Sequence, residues 1–185
     1  MRTVQQDCRE ILEFWFSEDV RPFWFRSTPE FDQQLRGRFR GVWETAARGG
    51  LEAWLGSADG TLALVIVLDQ FPLNMFRGHA KAFSTEARAR DAADHAIRQG
   101  WDRAMDDARK GFLYLPFMHS ESLDDQDRSV RLYREAGLTG SLRWAGHHRG
   151  IIRRFGRFPH RNTALGRVNT PEEVAWLASK EAFRG

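Results

Sequence analysis

Apolar residues recur at helical spacing along almost the whole chain. Phe31, Leu35, Phe39, Val42, Trp43 and Ala46 form one such stripe. Ahead of it, Ser27, Thr28, Pro29 and Glu30 place a capping hydroxyl, a first-turn proline and an acid where a helix begins, and Gly49-Gly50 ends it. Val4, Cys8, Ile11, Leu12 and Trp15 predict an earlier helix, capped by Thr3 and running to about Phe16. Residues 62–68 (LALVIVL) are apolar on every side. Their β-branched middle suits a strand, but no second strand exists to pair with it. The pattern therefore predicts a fully buried central helix from about Asp59 to Gln70. Asp69 at its C-terminal end opposes the helix dipole and calls for a cationic partner.

Phe83, Ser84, Thr85 and Glu86 start a further helix through Ala87, Ala92, Ala93 and Ile97 to a stop at Gly100. Another is predicted from about Asp106, bent or ended by Pro116. Ser122 caps one carrying Leu123, Gln126, Val130 and Tyr133 to Gly137, and Ser141 opens the next, with Trp144, Ala145, Ile151, Ile152 and Phe155 as its stripe. Thr170, Pro171, Glu172 and Glu173 have the capping-box pattern and launch a last helix through Ala175, Trp176 and Leu177. The reading is all-α: seven to nine helices in antiparallel pairs, joined by short turns in one domain over residues 1–185.

Composition changes this picture in two respects. Seven Trp and fourteen Phe predict a core built on aromatic rings. The formal charge of +3 is unevenly placed: residues 143–167 hold seven Arg and three His with no Asp or Glu, a positive field that favours anions. Cys8 is the single cysteine and is read as packing, which fits a reducing compartment. The opening MRTVQQDCRE is polar and of mixed charge, and no apolar run is long enough for a membrane span, so a cytoplasmic location without membrane attachment is expected.

Candidate chemistry gathers in three stretches: LDQFPLNMFRG at 68–78, HSE at 119–121 and FGRFPHRNTALGR at 155–167. The first and third each close an apolar segment with Phe-Pro, then place Asn and Arg shortly before a Gly. Asn74, Arg77, His148, Arg154, Arg157, Arg161, Asn162 and Arg167 are the candidate ligand-binding residues. Measured against the internal acids Asp69 and Glu121, guanidinium donors are in excess, which points to a site for a phosphate or carboxylate gripped by Arg. The competing reading is a structural ion-pair network that pins helices together. His119 or His160 would move a proton, with Glu121 or Asp69 orienting it, but no reaction is assigned and enzyme activity stays open. His148 falls in the middle of an apolar stripe, either as a packed core histidine or facing a polar pocket, while Arg149 and Arg153 read as a solvated face. HExxH, GxGxxG, GxxxxGK[ST] and GxSxG are absent, so neither a metal nor a cofactor is expected. The partners in view are a small anionic molecule or, for an interaction module, an acidic peptide. Nucleic acid is disfavoured by the small net charge.

The sequence resembles domain of unknown function 924, a bacterial family. The resemblance rests on LDQFPLNMFRG, FLYLPFMHSE at 112–121, RFGRFPHRNTALGR with TPEE at 154–173, ILEFWF at 11–16 and AFSTEARA at 82–89. It departs from the family pattern at Leu73, where Arg is expected, and at Met75. The resemblance implies a tetratricopeptide-like, right-handed superhelical array and brings no activity, substrate or cofactor with it.

Overall fold

The computed structural model describes residues 4–180 and residue 182, so the proposed cap Thr3 lies outside the described residues. All regular structure among these residues is helical, with no strand. Contacts divide the chain into two compact units, residues 1–77 with 81–116 and residues 78–80 with 117–185.

In the first unit, helix α1 (Val4–Trp15) buries Cys8, Ile11, Leu12, Phe14 and Trp15. Burial pushes the Cys8 thiol above its ordinary value. Helix α2 (Pro29–Ala47) starts as its sequence predicts: the Thr28 hydroxyl accepts the Phe31 N–H at 3.3 Å, and Phe31, Leu35, Phe39, Trp43 and Ala46 are buried. The aromatic rings meet in one core. Trp15 lies edge-on or tilted against Phe71 and Phe112, both centroids at 5.6 Å, and Phe39 stacks on Phe71 at 5.0 Å. Trp54 is buried, and Trp24 donates its indole N–H to the Trp15 carbonyl at 2.8 Å.

Helix α3 (Ala58–Val65) is capped by Ser57 and is buried on all sides from Gly60 onward. The predicted stop at Gln70 does not occur. The chain passes through one wide π turn, Ile66–Gln70, directly into helix α4 (Phe71–Met75), with Pro72 inside. Pro72 has no N–H for the Leu68 carbonyl, and in a regular helix its ring would press on that carbonyl. The wider π turn relieves this clash. The Thr85 hydroxyl takes up the released Leu68 carbonyl at 2.5 Å, and the Trp43 indole N–H bonds to Thr85 Oγ1 at 3.3 Å.

Gly60 has a separate constraint, because a Cβ there would lie 2.4 Å from the Trp54 carbonyl oxygen and 2.9 Å from Ser57 Oγ. Gly60→Ala is expected to destabilise the protein by about 1–3 kcal/mol in urea denaturation through overpacking. At Gly37, within α2, a Cβ would meet nothing within 4 Å, and Gly37→Ala should stabilise by about 0.5–1 kcal/mol.

Helix α5 (Glu86–Arg98) buries Ala89, Ala92, Ala93 and Ala96, so its inner face is alanine at helical spacing. Helix α6 (Asp107–Met118) continues past Pro116 rather than ending there, and the chain enters the second unit along it.

In the second unit, helix α7 (Leu123–Glu135) and helix α8 (Thr139–Phe155) pack on one another across a turn closed at Gly137, φ +71°. The Leu138 N–H reaches back to the Tyr133 carbonyl at 3.0 Å in a Schellman-type closure. The Ser122 hydroxyl does not cap α7. Ser120 Oγ accepts the Ser122 N–H at 3.1 Å and donates to Asp125 at 2.6 Å instead. Helix α9 (Pro171–Leu177) carries the full capping box expected of Thr170 and Glu173. Ile151, Ile152, Phe158 and Trp176 form a small core. Trp144, assigned to the buried stripe of α8 by periodicity, is 47% exposed.

Candidate functional site

Helix α8 ends at Gly156, φ +69°, and the following loop folds through a 3₁₀ turn at Pro159–Arg161 before α9 begins. Each of its arginines donates to a protein acceptor within the second unit. Glu121 accepts both terminal amino groups of Arg167, at 2.7 and 2.9 Å, and the Phe158 N–H at 2.7 Å. Arg167 Nε is held by Asn162 Oδ1 at 2.8 Å. Burial alone would raise the Glu121 carboxyl, but these bonds hold it below its ordinary value. Arg161 is buried, donates to the His119 carbonyl at 2.9 Å, and lays its guanidinium 4.6 Å from the Phe158 ring centroid.

Glu173 has the denser environment. It is 1% exposed and accepts Arg157 through Nε at 2.7 Å and Nη2 at 2.8 Å. Its Oε2 also takes the Thr170 N–H at 2.8 Å and Asn162 Nδ2 at 3.2 Å. The Arg157 bonds above all hold its carboxyl down to about 2, against the opposing effect of burial. Arg154 Nε bonds the exposed Glu172 at 2.8 Å, and Arg149 and Arg153 share Asp127 at 3.1 and 3.3 Å.

Two candidate histidines flank Phe158, with His148 edge-on at 5.6 Å and His160 tilted at 5.5 Å. His148 Nδ1–H donates to the Trp144 carbonyl at 2.9 Å, since a carbonyl oxygen only accepts. Burial pushes both imidazoles down to about 3, with the Arg161 charge adding to the effect at His160. Both are therefore neutral near pH 7.

The structure thus joins HSE at 119–121 to the 155–167 loop, and joins that loop to the acids of the 170–173 cap. The earlier Phe-Pro stretch lies in the first unit and bonds there. Asp69, 1% exposed, accepts the Gln70 side-chain amide at 2.5 Å. Asn74 donates to the Gln70 carbonyl at 3.1 Å and accepts from Arg77 at 3.1 Å. Arg77 Nε reaches Asp32 at 2.9 Å, whose other oxygen takes the Ser27 hydroxyl at 2.6 Å. Arg36 caps the C-terminal end of α4 by donating to the Met75 carbonyl. Counting Asp69 and Glu121 alone missed Asp32, Asp127, Glu172 and Glu173. The TPEE cap already carried two of those four.

A groove of about 820 Å³ runs along the outer face of α8. Arg143, His147, Gly150 and Arg154 line it at helical spacing, with Trp176 of α9 and Lys180 beyond. A Cβ at Gly146 or Gly150 would meet nothing within 4 Å, so the floor is open at both. Among the described residues, no Asp or Glu lines it. Arg143 lies 5.6 Å from the Trp144 ring centroid, and Phe155 packs on Trp176 at 5.4 Å. Of these lining residues only Arg154 was singled out from sequence as a ligand-binding candidate. The acid-free run at 143–167 was the available signal for the rest.

Among the described residues, no group of three or more His, Cys, Asp or Glu is placed to hold a metal ion, and no helix is long and apolar enough to cross a membrane.

The described residues thus form an all-helical protein whose Arg-rich loop is tied to HSE and TPEE. Residues 11–181 match the family described as bacterial protein of unknown function (DUF924), and the chain belongs to it. It is similar to the solved structure of a protein of unknown function from Agrobacterium tumefaciens, at 42% identity and a TM-score of 0.89. That match covers 95% of this chain and 99% of the other. None of the curated proteins compared is similar to it.

Proposed function

We propose that the protein binds an amphipathic anion, a carboxylate or phosphate monoester on an aromatic or branched body, in the groove of α8. One observation carries this reading: Arg143, His147, Arg154 and Lys180 converge with Trp144, Phe155 and Trp176 on a groove that no Asp or Glu lines among the described residues. Its volume of about 820 Å³ falls within the usual range for small-molecule sites. Arg154 gives only Nε to Glu172, so its terminal amino groups serve an anion, while the rings take the ligand's apolar part.

In this reading Arg157, Arg161, Asn162 and Arg167 are the scaffold that fixes the loop, since each donates to a protein acceptor. The same reasoning assigns Glu121 to that scaffold rather than to proton transfer.

Titration calorimetry with phenyl phosphate tests the reading. Binding should weaken with added salt and fall by about tenfold or more in Arg143→Glu, the loss of one charge-assisted contact. Equal binding of benzylamine, or no loss in Arg143→Glu, would exclude an anion site here. An acidic peptide that binds while phenyl phosphate does not would move the reading to a peptide groove.

A further inference from the structure

The first unit holds a second cavity, about 400 Å³, unrelated to the groove of α8 and independent of the reading given for it. Its floor is apolar: Leu55, Leu64 and Leu68, the last two from the buried helix that carries the π turn. Its walls are charged with both signs. Glu52 comes from the 3₁₀ turn Glu52–Gly56, and Arg88 and Asp91 from α5.

Arg88 and Glu52 come together at Gly49. A Cβ there would lie 3.1 Å from Glu52 Oε1 and 3.2 Å from Arg88 Nη1, so glycine keeps this corner open. Gly49 also has φ +82°, a conformation that other residues rarely adopt. Among the described residues, the side chains of Arg88, Glu52 and Asp91 form no hydrogen bond or ion pair with the protein. Arg98 is paired with Asp94 at 3.1 Å, and His95 Nε2 lies 3.0 Å from the Leu55 carbonyl, so these two neighbours are already engaged.

We propose that this cavity binds a small zwitterion with an aliphatic side chain, the chemistry of a branched α-amino acid. The carboxylate pairs with Arg88, the ammonium with Glu52 and Asp91, and the side chain covers Leu55, Leu64 and Leu68. A guanidinium beside carboxylates over leucine recognises the two charges and the apolar body together, and a ligand bearing one charge leaves the opposite wall unpaired. The cavity lies at the small end of the range for ligand sites, which matches an occupant of this size.

The test is titration calorimetry of the whole protein with L-leucine, isovalerate (carboxylate without ammonium) and isoamylamine (ammonium without carboxylate). L-leucine should bind, and each single-charge analogue should bind about tenfold more weakly or worse. Arg88→Ala and Glu52→Gln should each lower L-leucine affinity by a similar factor. Neither side chain bonds to the protein, so both variants should melt at the wild-type temperature. Arg143→Glu in the α8 groove should leave L-leucine binding unchanged. The proposal is overturned if L-leucine gives no binding, if isovalerate or isoamylamine binds equally well, or if both variants retain full affinity.

Discussion

Glu173→Gln is expected to lower the melting temperature by about 10 °C, the largest single effect of any polar substitution in the second unit. The carboxylate is buried, and its two oxygens accept Arg157 Nε and Nη2, the Thr170 N–H and Asn162 Nδ2. Glutamine has the same shape but turns one acceptor into a donor. That donor faces groups that only donate, and Arg157 loses its counter-charge. Breaking such a pair from one side costs about 3–5 kcal/mol, at about 2–4 °C per kcal/mol for a chain of this size. The capping box of α9 survives this change, because the glutamine oxygen still accepts the Thr170 N–H, so the loss falls on the pair with Arg157. Replacing both partners, Arg157→Met with Glu173→Met, should cost less than either single change, since no unpaired charge remains. A thermal melt of Glu173→Gln, the two single Met variants and the double Met variant checks this. A Glu173→Gln protein that melts with the wild type would show that the carboxylate contributes nothing.

Stability should also fall steeply as pH drops below about 6.5. His148 and His160 are held down to about 3 in the fold, mainly by burial, against an ordinary value of 6.5. Between those values the unfolded chain binds protons that the fold refuses. The fold therefore loses about 1.4 kcal/mol per pH unit for each histidine as pH falls. Above pH 6.5 both states carry neutral imidazoles, and this contribution is flat. Glu121 and Glu173, held below their ordinary 4.5, act in a lower window, and their contribution is lost only as pH falls from there. The interval from pH 6.5 to pH 5 therefore isolates the histidines. Urea denaturation across it should show a slope near two protons for wild type and about one for His148→Leu. An unchanged slope in His148→Leu would remove His148 from the account.

Much of the helical layout was legible because helix starts and stops are local chemistry. Thr28 before Pro29, Thr170 three residues before Glu173, and Gly137 just past a helix end act through side chains and φ angles within one turn. The family resemblance was carried by the same polar motifs, and the match over residues 11–181 bears it out. The passage of the central helix through Phe71 and Pro72 was not legible. It depends on Thr85, 17 residues away from the carbonyl it rescues. Trp144 was misplaced because periodicity reports which residues share a face, not how much of that face a neighbour covers.

The Arg-rich motif shows the same division. The sequence by itself determined that 143–167 carries many guanidinium groups and no acid, and that so many donors need acceptors. Only the tertiary structure decided which acceptors. Arg167 meets Glu121 across 46 positions, Arg77 meets Asp32 across 45, and Arg157 meets Glu173 across 16. Charge follows from residue identity alone, whereas pairing depends on which surfaces the packed helices bring within bonding distance. Folding thus turned most of the 155–167 motif into a braced loop and left Arg143, Lys180 and the Glu172-bound Arg154 facing the groove of α8.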